Sequence, residues 1–224
     1  MSREPVVIRV AIPAAEELAA RLKATVADRA GIVWVSPGDG EVDAAVVYGI
    51  SEQPGMVARR VPPWDRTWYL ELDPTARWVN DPTFRRWLAV RIDRAGMARV
   101  LFGDGAEPIH AGLLEAGKRP VSSGSRPRLQ IVRETGNRTA ERIASRLRAD
   151  LLPDRVVVEA TGISQDRAIA LRLLDHDPGH SGSETDTVIP LIREHAFLWV
   201  REGLKGIDVG PGDLPDFRNA RWSP

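Results

Sequence analysis

Four residues able to move protons or hold charge stand within one short stretch: Asp175, His176, Asp177 and His180, in Leu-Asp-His-Asp-Pro-Gly-His. Imidazole titrates near neutrality, so His176 or His180 beside a carboxylate can serve as general acid and base. The carboxylates can instead hold a cation, because an ionised acceptor makes stronger hydrogen bonds than a neutral one. A metal would need the two histidines, four apart, on one face of a helix. Pro178 and Gly179 oppose a helix there, so no metal site is expected. A solvated acidic turn is the remaining reading, since Asp, Pro and Gly are ordinary turn residues. Binding, catalysis and a plain turn all stay open from these residues alone, and whether the chain is an enzyme stays open with them.

A second group is aromatic. Trp64, Trp68 and Tyr69 follow Pro62-Pro63, and large rigid rings give a binding surface area at little entropic cost. Trp68 alternates with Leu70 and Leu72, which equally suits the buried face of a strand. Trp64, ahead of that strand, is the better pocket residue. His110 and His195 read as structural or exposed.

Composition removes several classes of function. With 224 residues, 43% hydrophobic and 28% charged, the chain can bury a core of its own. Lys and Arg number 31 against 31 Asp and Glu, so no basic footprint for nucleic acid exists. There is no cysteine, hence no disulfide, thiolate metal site or thiol nucleophile. Gly-Asp-Gly at 38–40 and at 103–105 lacks a phosphate-binding spacing, so both read as turns and no cofactor is expected. Arg9 interrupts the first apolar run, which is unlike a signal peptide, and no run reaches the ~18 apolar residues of a membrane span. The sequence as it stands reads as cytoplasmic, or as extracytoplasmic if a leader has been removed.

The elements that must position these groups alternate. Residues 6–10 are β-branched, Ala15, Leu18, Ala19, Leu22 and Val26 recur at helical spacing, and 32–35 return as a strand. Residues 129–132, then Ala140, Ile143, Ala144, Leu147 and Leu151, then 156–158 repeat the pattern, which suggests a duplicated β-α-β unit. Asp81 with Pro82 starts a helix whose face is Phe84, Trp87, Leu88 and Ile92. Asp93 starts another, striped by Met97, Val100 and Leu101 and ended by Gly103. Asn137, although in a glycosylation-like Asn-Arg-Thr, reads as a helix cap. The class is α/β, a mixed sheet flanked by helices. One domain over 1–224 is expected, with units 1–60, 61–116 and 128–224 and a Gly/Ser/Pro-rich linker at 117–127.

Two longer stretches carry a resemblance. "GEVDAAVV", "WYLEL" and "FRRWLAVRIDRAGMARVLFGDGAEP", followed at the end by "VIPLIREHAFLWVREGLKGIDVGPGDLPDFRNARW", resemble the family 5 extracellular solute-binding proteins. These are the oligopeptide, dipeptide and nickel receptors of ABC importers. The resemblance implies a periplasmic-binding-protein-like lobe, and the short chain implies the second lobe alone, compacted. It also implies that Asp175 or Asp177, with Asp177 favoured beside Pro178, pairs with the amino group of a small molecule or short peptide. Trp64, Trp68 and Tyr69 would line the pocket. A lone lobe would leave a face for a second copy or a partner protein to cover. The alternatives are a cytoplasmic enzyme of specialised metabolism on this scaffold, with His176 or His180 catalytic, or a remnant that serves protein interaction or sensing.

Overall fold

A computed structural model describes residues 8–11, 32–35, 41–49, 54–61, 65–76, 78–109, 127–132, 137–161, 171–174, 187–209, 215–217 and 219–223. In chain order the strands are β1 (Ile8–Ala11), β2 (Ile32–Val35), β3 (Ala44–Tyr48), β4 (Met56–Arg60), β5 (Arg66–Leu72), β6 (Ala106–Pro108), β7 (Arg128–Val132), β8 (Val157–Thr161), β9 (Leu171–Leu174), β10 (Val188–Glu194) and β11 (Ala196–Arg201). Four two-residue strands follow: β12 (Leu204–Lys205), β13 (Asp208–Val209), β14 (Pro215–Asp216) and β15 (Arg221–Trp222). The described helices are α1 (Pro82–Arg91), α2 (Arg94–Phe102) and α3 (Arg138–Leu151).

The chain divides into two compact units, Met1–Asp65 with His195–Pro224, and Arg66–Glu194. Of the segments in the sequence reading, 1–60 falls in the first unit, 66–116 and 128–194 fall in the second, and 195–224 falls in the first again. The reason is non-local pairing: β11 leaves the late sequence to pair antiparallel with both β3 and β4. No local pattern reveals such a partner.

Each unit has its own sheet, and the two sheets share an order. The first runs β2-β1-β3-β11-β4, the second β6-β10-β5-β9-β7-β8. In the first, β2, β1 and β3 are parallel, with β1 in the middle. In the second, β8, β7 and β9 are parallel, with β7 in the middle. An antiparallel strand flanks each triplet, β11 beside β3 and β5 beside β9, and each is the first strand after the chain passes into that unit. A further strand follows, β4 antiparallel to β11 or β10 antiparallel to β5. The repeat expected from periodicity thus appears as matching strand order.

Local chemistry explains the described helices. Asp81 accepts from the Thr83 amide at 2.8 Å and Pro82 opens α1, whose Phe84, Trp87 and Leu88 are buried. Asp93 accepts from the Gly96 amide at 2.8 Å and starts α2, which ends at Gly103 with φ 56°. Only part of the expected α2 stripe faces inward: Met97 is buried, but Val100 is exposed and Ala98 takes the inner place. Asn137 caps α3 through the Ala140 amide at 3.0 Å. Ala140, Ile143, Ala144, Leu147 and Leu151, the face read from sequence, are all buried in α3. Each Ile or Leu of that stripe contributes about 1.5–3 kcal/mol by leaving water. They join Trp68, Leu70, Leu72, Phe84 and Leu88 in the core of the Arg66–Glu194 unit. The other unit packs Ile8, Val10, Val46 and Leu198 against Leu204, Ile207, Phe217 and Ala220 of the C-terminal segment.

Candidate functional site

β5 is the strand around which the candidate residues gather. Its alternation buries Trp68, Leu70 and Leu72 and leaves Arg66, Thr67, Tyr69 and Glu71 half-buried. Trp68 is 1% exposed, so it belongs to the core and not to a pocket wall. Its indole nitrogen donates to Glu194 Oε2 at 2.8 Å. Tyr69 points to the opposite face of the strand, as period-two alternation requires.

β5 is flanked on both sides, and its neighbours carry the ends of the acidic stretch. On one side Tyr69 stands opposite Leu174, the residue before Asp175. On the other side the Leu72 amide donates to the Thr187 carbonyl at 2.7 Å, just before β10. Leu174 and Thr187, the described residues on either side of positions 175–186, thus both lie beside β5. Asp175, His176, Asp177 and His180, with Trp64 and His110, lie outside the described residues. What the structure brings together is Tyr69 and the point where the chain departs toward Asp175.

Sequence reasoning missed Glu194. It ends β10 with only 3% of its side chain exposed, and Oε2 accepts from Arg66 Nε at 2.6 Å as well as from Trp68. The Arg66 guanidinium also lies over the Trp68 ring, 4.9 Å from its centroid. A register shift falls between Pro190 and Ile192, and the alternation that resumes at Ile192 carries Glu194 inward. That continuing period was the available signal. His195, read as structural or exposed, is buried, with its ring edge-on to Phe197 at 6.3 Å.

The Ile-Asp-Arg that joins α1 to α2 is structural. Arg94 is buried, and its Nε and Nη1 donate to the carbonyls of Pro190 at 2.8 Å and Ala89 at 2.6 Å. It thereby ties α1 and α2 to β10, and burial lowers its pKa from the usual guanidinium value. Nearby, Asp93 meets Arg146 at 3.1 Å and Arg146 meets Asp150 at 2.9 Å. Burial raises the Asp150 pKa, with Arg146 pulling the other way.

No helix among the described residues is long and apolar enough to cross a membrane. No family model matches the chain, and no curated protein does. Solved structures do. NikA from Brucella suis, in complex with Fe(III)-EDTA, superposes with TM-score 0.62 at 11% identity, over 82% of this chain and 58% of its own. The ABC transporter substrate-binding protein CtaP from Listeria monocytogenes gives 0.62 at 12%, over 86% and 60%. A dipeptide-binding protein from Pseudoalteromonas sp. SM9913, in complex with Met-Leu, gives 0.55 at 12%, over 86% and 58%. The chain thus spans 58–60% of the length of these proteins. At such identities the likeness concerns the fold, a mixed α/β one of the periplasmic-binding-protein-like kind. The aligned share exceeds what either compact unit holds by itself, so the likeness takes in both.

Proposed function

We propose that this chain is a ligand-binding protein of the solute-binding kind, taking a small molecule or short peptide by its amino group. One observation carries the reading: Tyr69 stands in register with Leu174, so an aromatic side chain on β5 neighbours the start of an acidic stretch. Asp177, with Asp175 beside it, is the anchor for the ammonium, and Tyr69 offers apolar area to the adjoining side chain. Trp64 is the other aromatic candidate. Trp68, buried in the core, offers almost no surface for a ligand. The repeated strand order and the likeness across both units favour two lobes over the second alone.

The test pairs a ligand change with a protein change. Met-Leu and N-acetyl-Met-Leu are titrated into wild type, Asp177→Asn and Tyr69→Ala by calorimetry. Wild type should prefer the free amine by about 1.5–3 kcal/mol, the worth of a charged hydrogen bond, which is roughly 10- to 150-fold in Kd. Asp177→Asn should abolish that preference, and Tyr69→Ala should weaken both ligands alike. Equal affinity for the free and acetylated peptides in wild type overturns the reading.

A further inference from the structure

Within the unit formed by Met1–Asp65 and His195–Pro224, a cavity of about 350 Å³ lies over one face of β4 and β11, against residues 203–207. Val57 pairs with Val200 and Arg59 with Leu198, so all four share the face that floors it. Leu204 and Ile207 complete an apolar lining. Gly203 and Gly206, at φ +91° and +76°, let the chain turn where a residue with Cβ would be strained.

The charges around this apolar floor are unbalanced. Arg201 is engaged by Glu41 at 3.3 Å and Asp43 at 3.7 Å. Arg59 makes only a long contact, 3.4 Å, to the Ile207 carbonyl. Among the described residues neither Arg59 nor Lys205 has a carboxylate partner, and Glu202 is the single acid in the lining. Two cations without a carboxylate partner among the described residues, against the single acid Glu202, leave an excess of positive charge beside an apolar floor, which complements a molecule with a negative head and a hydrocarbon body. The volume is at the small end for ligand pockets, which suits roughly ten non-hydrogen atoms. We infer that this cavity is a second binding site, for a short-chain amphipathic carboxylate, with Arg59 and Lys205 on the head and Val57, Leu198, Val200, Leu204 and Ile207 on the chain.

The probe is octanoate, with octanol as its uncharged counterpart, titrated by calorimetry and by NMR of the Val57 and Leu204 methyls. Octanoate should bind saturably at one site, about ten-fold or more tighter than octanol. Arg59→Gln combined with Lys205→Gln, both at solvent-facing positions, should remove that difference and leave octanol unchanged. Val57→Asp should weaken both molecules, while Asp177→Asn should alter neither, which separates this site from the amine site. Octanoate that fails to bind, or binds equally well to the double variant, overturns the inference. So does a cavity that ignores octanoate but takes an extended acidic peptide, since β4 ends its sheet and can accept an added strand.

Discussion

Glu194→Ala removes the one carboxylate that Trp68 and Arg66 share, and the structure sets the cost. The Trp68 indole N–H is buried and its bond to Glu194 is 2.8 Å, so it is left without that acceptor where water has no access. An orphaned buried donor costs about 1–3 kcal/mol. Arg66 keeps 24% of its side chain exposed and can turn toward solvent, which limits its share to about 1 kcal/mol. The sum is a loss of about 2–4 kcal/mol. Glu194→Gln should lose only about 1 kcal/mol, because its amide oxygen can still accept from Trp68. Combining Glu194→Ala with Trp68→Phe should cost less than the two singles together, since the orphaned donor has gone. With two units the unfolding need not be a single transition, so the assay is local: hydrogen exchange at the Leu70 and Ile192 amides across urea concentrations. A Glu194→Ala variant whose exchange at these amides shifts by no more than a few tenths of a kcal/mol refutes the reasoning, because the trio would then be open to water.

Arg94→Lys should destabilise the Arg66–Glu194 unit by about 1.5–3 kcal/mol, because one ammonium cannot reproduce the guanidinium bonds to Ala89 and Pro190; chemical denaturation reads this. Gly206→Ala should cost at least about 1–3 kcal/mol, since φ is +76° and the new Cβ would stand 2.1 Å from the Asn219 carbonyl oxygen; a lower melting temperature checks it. Asp150 holds its proton more tightly folded than unfolded, so its contribution favours the folded state at low pH and is lost as pH rises through its raised pKa. Asp150→Asn should therefore gain on wild type as pH climbs above the ordinary carboxylate range and show no gain below it, as melting curves across pH would reveal.

Elements made by neighbouring residues were legible in the sequence. Asp81, Asp93 and Asn137 announce three helices through short-range capping, and the α3 stripe and the Trp68-Leu70-Leu72 alternation declare their buried faces. Pairing between distant strands was not legible. β4 reads Met-Val-Ala-Arg-Arg with an exposed surface, an end strand without an apolar alternation, and only β11 identifies it. Because β11 also completes the sheet of β3, missing it hid the division into two units. Val100 looked like part of a stripe, but a nine-residue helix rests on a narrow line, and Ala98 fills it. Glu194 hid for the opposite reason: hydrophobicity marks a carboxylate as a surface group, although strand period turns it inward toward Trp68. Of the candidate site, Tyr69 and Trp68 were separable by alternation alone. The acidic stretch lies outside the described residues, and only Leu174 and Thr187 on either side of it are described.

The most direct test of the account is whether purified wild-type chain binds ligands that carry a free amino group. Calorimetric titration with Met-Leu and a panel of free di- to pentapeptides should give saturable one-to-one heat for at least one member, and that member should raise the melting temperature with its concentration. The same member, acetylated at its amino group, should bind at least about ten-fold more weakly. A folded chain that shows neither heat nor a melting shift with any free peptide, or that treats free and acetylated forms alike, contradicts it.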